Sequence, residues 1–234
     1  MKYLAAVLHP WACLVFLLPL LIVYEGGVLH YGQHGTTGLR GGADEWLRVG
    51  LSHYGLGQAW IAPLVVVAVF VFRSAWSWKS RPTEPLAVGF GMLLESIALA
   101  ALLWATAKNF GPLLQEFGVP LASIEFQTPG AELVKYIGAG IYEEVLFRLG
   151  LYTGLVYLFR LVLLPGLFAS LLAAVLSSLV FAAAHRGGGE FPAAQFLFLT
   201  FAGLYFTTVY ITRGFGIAVG CHAGYDILAG VSVG

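Results

Sequence analysis

Charge is scarce in this chain of 234 residues: Asp, Glu, Lys and Arg make up 10% of it, against about 25% in an ordinary soluble domain. No polar segment is long enough to form a core of its own, which leaves room for a single integral domain only. Neither sign of charge dominates, since 12 Lys and Arg balance 12 Asp and Glu; the basic footprint that nucleic-acid binding needs is missing. Cysteine is nearly absent as well. Cys13 and Cys221 lie in apolar segments and form no C-x-x-C pair, so there is neither a disulfide framework nor a thiolate zinc site. Internal repeats, low-complexity tails and the H-E-x-x-H metalloprotease signature are missing too.

What remains is apolar: 59% of the residues are hydrophobic and the mean hydropathy is +0.84. The implied fold class is all-α, a polytopic transmembrane bundle in the cell membrane, with the lipid bilayer as its permanent partner. A span needs about 20 predominantly apolar residues. Arg48 and Arg73 bracket 24 uncharged residues (49–72), Arg160 and His185 another 24 (161–184), and Glu190 and Arg213 bracket 22 (191–212). Leu86 to Ala107 is interrupted only by Glu95, Gly214 to Gly234 only by Asp226, and Ala131 to Phe159 forms a long helical stretch that contains charges. The run Tyr3 to Tyr24 exceeds a signal-peptide h-region and is read as a retained first helix. About seven helices result. Their connections carry turn residues, as in "GQHGTTGLRGG", "SRPTEP", "HRGGGEFP" and "RGFG". With a cytoplasmic amino terminus, Lys2, Arg73, Lys79, Arg81, Arg160 and Arg213 fall inside and Arg40, Arg48, Lys108 and Arg186 outside, a slight bias under the positive-inside rule.

The few charges inside these stretches therefore matter, because an ionisable group within a membrane is costly and marks a functional site by default. The stretch "YEEVLFR", Tyr142 to Arg148, holds three. Residues advance by about 100° along a helix, so Glu143 and Glu144 face different ways, whereas Glu144 and Arg148 at i, i+4 share a face. That pairing neutralises two charges and leaves Glu143 free. "FAAAH" ends in His185, and "HAGYD" places His222 and Asp226 on one helix face. A carboxylate, two imidazoles and a further carboxyl converging in a bundle interior would supply what hydrolysis needs: a base for water and donors for an oxyanion. The plainer expectation for Glu95 is a helix-packing hydrogen bond, and for Glu25 a solvated position near an interface. Cys221 and His222 are adjacent and so do not form a nucleophile pair. His9, His30, His34 and His53 lie near helix ends or in loops, and the aromatic and Leu stripes read as packing or lipid-facing surface.

Taken in order, "EEVLFR", "FAAAH" and "HAGYD" resemble the EExxxR, FxxxH and HxxxN/D motifs of the CAAX-prenyl-protease and bacteriocin-processing (CPBP, or ABI) family of intramembrane glutamic endopeptidases. The resemblance covers residues 131–234, read as CPBP-like catalytic helices; residues 1–130 are amino-terminal transmembrane helices without an assigned motif, part of the same integral membrane domain. The resemblance implies that Glu143 with His185 activates the attacking water, that His222 and Asp226 stabilise the oxyanion, and that Glu144 and Arg148 support them. It also implies that no metal or other cofactor is used, and that the substrate is a protein or peptide with a membrane-associated terminus. Asp226 stands where the family more usually has Asn; an ionised Asp cannot donate to an oxyanion, so it either carries a proton or acts by orienting His222. Two other functions stay open at this level. Glu143, His185 and His222 also compose a zinc ligand set, as in an intramembrane metalloprotease, and buried Glu and His also mark proton or ion carriers.

Overall fold

The three-dimensional structure, a computed structural model, describes residues 3–116, 129–186 and 193–231. Among the described residues every regular element is helical. A short α1 (Tyr3–Val7) precedes α2 (Pro10–Gln33). The break between them has a local cause: Pro10 opens α2, and the His9 ring accepts a hydrogen bond from Trp11 N at 3.1 Å while reaching Ser77 O at 3.0 Å. His9, with no role assigned from the sequence, is thus a buried helix cap. The first long helix is therefore displaced from the expected run, starting later and continuing past Glu25 to Gln33.

The stretch between Arg48 and Arg73 departs further from expectation. Arg48 lies inside a separate amphipathic helix, α3 (Gly42–Ser52), and the chain then turns through Gly55, whose φ of 75° suits glycine, before α4 (Ile61–Trp76) begins. The apolar helix keeps 16 residues, about 24 Å of rise against a hydrocarbon core of about 30 Å. After a 3₁₀ turn at Trp78–Ser80 comes α5 (Pro85–Glu116), which outlasts the expected end at Ala107. Most of the connection expected over Lys108–Gly130, and most of "HRGGGEFP", fall outside the described residues. α6 (Pro129–Glu144), a π-helical segment (Val145–Tyr152) and α7 (Thr153–Leu161) run on as one rod, followed by α8 (Gly166–Ala184), α9 (Ala193–Arg213) and α10 (Phe215–Val231). Gly214, at φ 89°, is the single residue that turns α9 into α10.

Pro10–Gln33, Pro85–Phe110, Gly166–Ala184 and Ala193–Arg213 are long and apolar enough to cross a membrane. The chain is an all-helical, multi-pass membrane protein. α10 sits against α2, α5, α6 and α9, and its stretch Phe215 to Val219 is fully covered. Small residues allow this closeness, as expected where helices pack without a hydrophobic drive from water. A Cβ placed on Gly140 of α6 would lie 2.8 Å from the nitrogen and Cβ of Ala223 on α10, and one on Gly203 of α9 would lie 3.0 Å from Ser178 Cα on α8. The helices that carry the charged motifs are thus held almost backbone to backbone.

Candidate active site

Glu143 and Glu144 end the regular part of α6, where the π-helical segment begins; such wide turns recur at functional sites. The two carboxylates diverge, as the helix geometry requires. Glu144 is fully buried and lies 3.1 Å from Nη1 of Arg148, itself 1% exposed. Arg148 donates from Nη2 to Gly203 O at 3.1 Å, and its guanidinium lies over the rings of Phe181 and Phe206, 4.5 and 5.4 Å from their centroids. The charge expected to be expensive here is thus paired, hydrogen-bonded and stacked.

Glu143 points instead toward both histidines. Its Oε2 lies 3.4 Å from His185 Nε2 and 3.8 Å from His222 Nε2, and among the described residues that buried oxygen has no hydrogen-bond partner. His185 caps the end of α8, with its Nδ1 2.8 Å from Phe181 O. A carbonyl only accepts, so Nδ1 carries a proton and Nε2 is the nitrogen turned toward Glu143. His222 is held from the other side: its Nδ1 donates to Glu144 Oε1 at 2.8 Å, and Phe206 stacks on its ring at 4.3 Å with an interplanar angle of 13°. Its Nε2 is left facing Glu143 and, at 3.7 Å, Asp226 Oδ2. Side-chain exposure rises from His222 (4%) through Glu143 (14%) and Asp226 (23%) to His185 (31%), so the constellation opens on the His185 side.

All six polar residues singled out from the motifs therefore lie in one cluster. The distance of 3.7 Å leaves Asp226 outside hydrogen-bond range of His222; the residue that orients this histidine is Glu144, a bond between residues 78 apart in sequence. Phe206, Phe181 and Gly203 also belong to the site, though the aromatic stripes read only as packing or lipid surface. Phe181 had a signal, since it stands four residues before His185 on the same face; Phe206 had none. Among the described residues no group of three or more His, Cys, Asp or Glu side chains is arranged to hold a metal ion. Cys221 is buried in an apolar cluster with Ala100, Leu103, Ala202 and Phe206.

Two other carboxylates resolve differently. Glu95 is bound by the Arg213 guanidinium and by the Tyr3 hydroxyl, joining α1, α5 and α9, a packing role as expected but with a charged partner. Glu25 is not solvated: its side chain is 14% exposed and ion-paired with Arg40 and Arg48. Its neutralisation lets α2 continue past a charge that otherwise reads as the end of a span.

A multi-pass helical bundle that places a carboxylate between two imidazoles defines a membrane protein with an internal cluster of ionisable side chains. Residues 128–228 match the family model Type II CAAX prenyl endopeptidase Rce1-like, and all six site residues lie within that range. This segment is an Rce1-like CAAX prenyl endopeptidase (CPBP) family domain. The family implies a peptidase with a protein substrate and suggests an intramembrane protease. No curated protein and no solved structure matches the chain.

Proposed function

We propose that the protein is an intramembrane endopeptidase of the cell membrane in which Glu143 and His185 activate water to hydrolyse a peptide bond close to the membrane-associated terminus of its substrate. The observation that carries this reading is the unshared Glu143 Oε2, buried between two Nε2 atoms at 3.4 and 3.8 Å. A general base must reach a proton directly or through one water, and this oxygen is not committed to a hydrogen bond among the described residues. Glu143 takes one proton from water while the His185 Nε2 lone pair accepts the other hydrogen as a hydrogen bond. The hydroxide equivalent adds to the carbonyl carbon. His222, already donating from Nδ1, carries a second proton on Nε2 when charged, and that N–H stabilises the oxyanion. Glu143 then returns its proton to the departing amine, so one water is consumed and a carboxylate and an amine are released.

Glu144 and Arg148 act as supports in this scheme, Glu144 by fixing the His222 ring and Arg148 by holding Glu144. Asp226 faces the same nitrogen from beyond hydrogen-bond distance and acts, when it carries a proton, as a second donor toward the oxyanion rather than in ring orientation. Residues 1–130 and 131–234 act as one integral unit, which the packing of α10 against α2 and α5 supports. The test is hydrolysis of prenylated and unmodified carboxy-terminal peptides by the purified full chain. Cleavage by the native protein and none by Glu143→Gln at equal thermal stability is the expected result; equal cleavage by both overturns the assignment of the base.

A further inference from the structure

A second polar network touches another face of α6, and none of its groups takes part in the proton transfers of hydrolysis. Glu25 on α2 accepts from Arg40 Nη2 at 3.1 Å, from Arg48 Nη2 at 3.0 Å and from the Tyr142 hydroxyl at 2.9 Å. Asp44 on α3 accepts from Arg40 Nη1 at 2.7 Å, from Arg48 Nε at 2.6 Å and from the Tyr24 hydroxyl at 2.8 Å. Each carboxylate therefore bridges both guanidiniums and takes one phenol. Two positive and two negative charges cancel, and every carboxylate oxygen is occupied, so the network offers nothing to a charged ligand. What it does is mechanical: it ties α2, α3 and α6 together. Gly138 admits the connection, since a Cβ there would collide with the ring of Tyr24, and the Tyr24 and Tyr142 rings pack at 5.5 Å.

Tyr142 is the residue before Glu143. A helix with its side chains has a radius of about 5 to 6 Å, so a rotation of about 10° about the α6 axis moves the Glu143 carboxylate by about 1 Å, a displacement that costs on the order of 100-fold in rate. On the catalytic side α6 is held through Glu144 and Arg148, but Glu143 Oε2 itself has no hydrogen bond among the described residues, so the hold next to Glu143 is the one made by Tyr142 on the other face. We propose that Tyr142 is a positioning residue: its hydroxyl, held by Glu25 within the Arg40–Asp44–Arg48 network, fixes the rotation of α6 and so aims Glu143 between His185 and His222. This rests on the reading of Glu143 as the base.

Two matched substitutions test it. Tyr142→Phe and Tyr24→Phe each delete one buried phenol–carboxylate bond of the same network, but only Tyr142 is on α6. Tyr142→Phe lowers kcat by about 10- to 100-fold with KM within about twofold, the pattern of a transition-state defect, whereas Tyr24→Phe keeps the native kcat; their melting temperatures fall alike. A native kcat for Tyr142→Phe, or equal kcat losses for both, in a protein whose Glu143→Gln form is inactive, overturns the positioning role and leaves the base assignment standing. Failure of the native protein to cleave any peptide strikes the base assignment instead. The rotation is then read without catalysis, as the rate at which a short bifunctional thiol reagent joins the thiols introduced by Glu143→Cys and His222→Cys in a Cys13→Ala, Cys221→Ala background. Measured in native membranes, so that survival of extraction does not matter, Tyr142→Phe slows this cross-link at least about tenfold for a displacement of that size; an unchanged rate overturns the proposal.

Discussion

α6 and α10 pack against each other at a glycine, Gly140, and substituting it gives a perturbation whose size can be worked out in advance. Gly140 stands three residues before Glu143 on α6, and its missing side chain faces the backbone of Ala223, the residue after His222 on α10. A Cβ there would lie 2.8 Å from Ala223 N and Cβ and 3.0 Å from Ala223 Cα, whereas carbon atoms rest at about 3.5 to 4.0 Å. Backbone atoms cannot swing aside, so Gly140→Ala must separate the helices locally by about 0.7 to 1 Å. Overpacking of this kind costs about 1 to 3 kcal/mol. The catalytic effect is larger in proportion: the Glu143–His222 separation of 3.8 Å lengthens by a similar amount, and a shift near 1 Å costs up to about 100-fold. The assay is peptide hydrolysis by purified protein beside thermal unfolding in detergent. Gly26→Ala on α2, where a Cβ meets nothing within 4 Å, is the control and leaves both quantities near native. Full activity and an unshifted melting temperature for Gly140→Ala would refute the claim that this contact sets the distance across the site.

Glu144→Gln leaves Arg148 charged and buried with only Gly203 O and two aromatic faces, a loss of about 3 to 5 kcal/mol, or a melting-temperature fall of about 6 to 20 °C for a chain of this size; Glu143→Gln, read in the same melts, shifts little, and equal stability of the two would contradict the division of labour. Asp226→Asn keeps hydrolysis within about tenfold of native, because Glu144 and not Asp226 holds the His222 ring and an amide donates to an oxyanion without needing a proton; a loss as deep as that of His222→Ala would return the orienting role to Asp226. Glu95→Gln, at a partly exposed pair with Arg213, costs at most about 1 kcal/mol and leaves the hydrolysis rate unchanged, so a dead variant would place α5 in the chemistry.

Much of this arrangement was legible in sequence because it depends on period and composition. Uncharged runs located the long helices, and the four-residue spacings of Glu144 with Arg148 and of His222 with Asp226 set shared faces that the folded helices retain. What stayed hidden depends on partners distant in the chain. Glu25 reads as a helix terminator until Arg40 and Arg48 are seen to neutralise it. Arg48 reads as the edge of a span: Asp44, four residues earlier, is a local partner, but only Glu25, from another helix, shows that Arg48 turns inward. Periodicity says that Glu144 and Arg148 face one way; it does not say that His222, from another helix, joins them, nor that Phe206 covers its ring. The uncharged run after Arg48 misled for a related reason: absence of charge is necessary for a span, but the glycines near Gly55 end the helix all the same.

The central claim is that Glu143 activates water without a bound metal, and metal content measured together with activity tests it most directly. Purified protein is exhaustively chelated, its zinc and other transition metals are quantified by mass spectrometry, and hydrolysis of a peptide substrate is followed in the same preparation. Native turnover is expected at metal contents far below one ion per chain, with loss of that turnover in Glu143→Gln. Zinc at one ion per chain in the active protein, with activity lost on its removal and restored on its return, would contradict it and make Glu143, His185 and His222 the ligands of a metalloprotease.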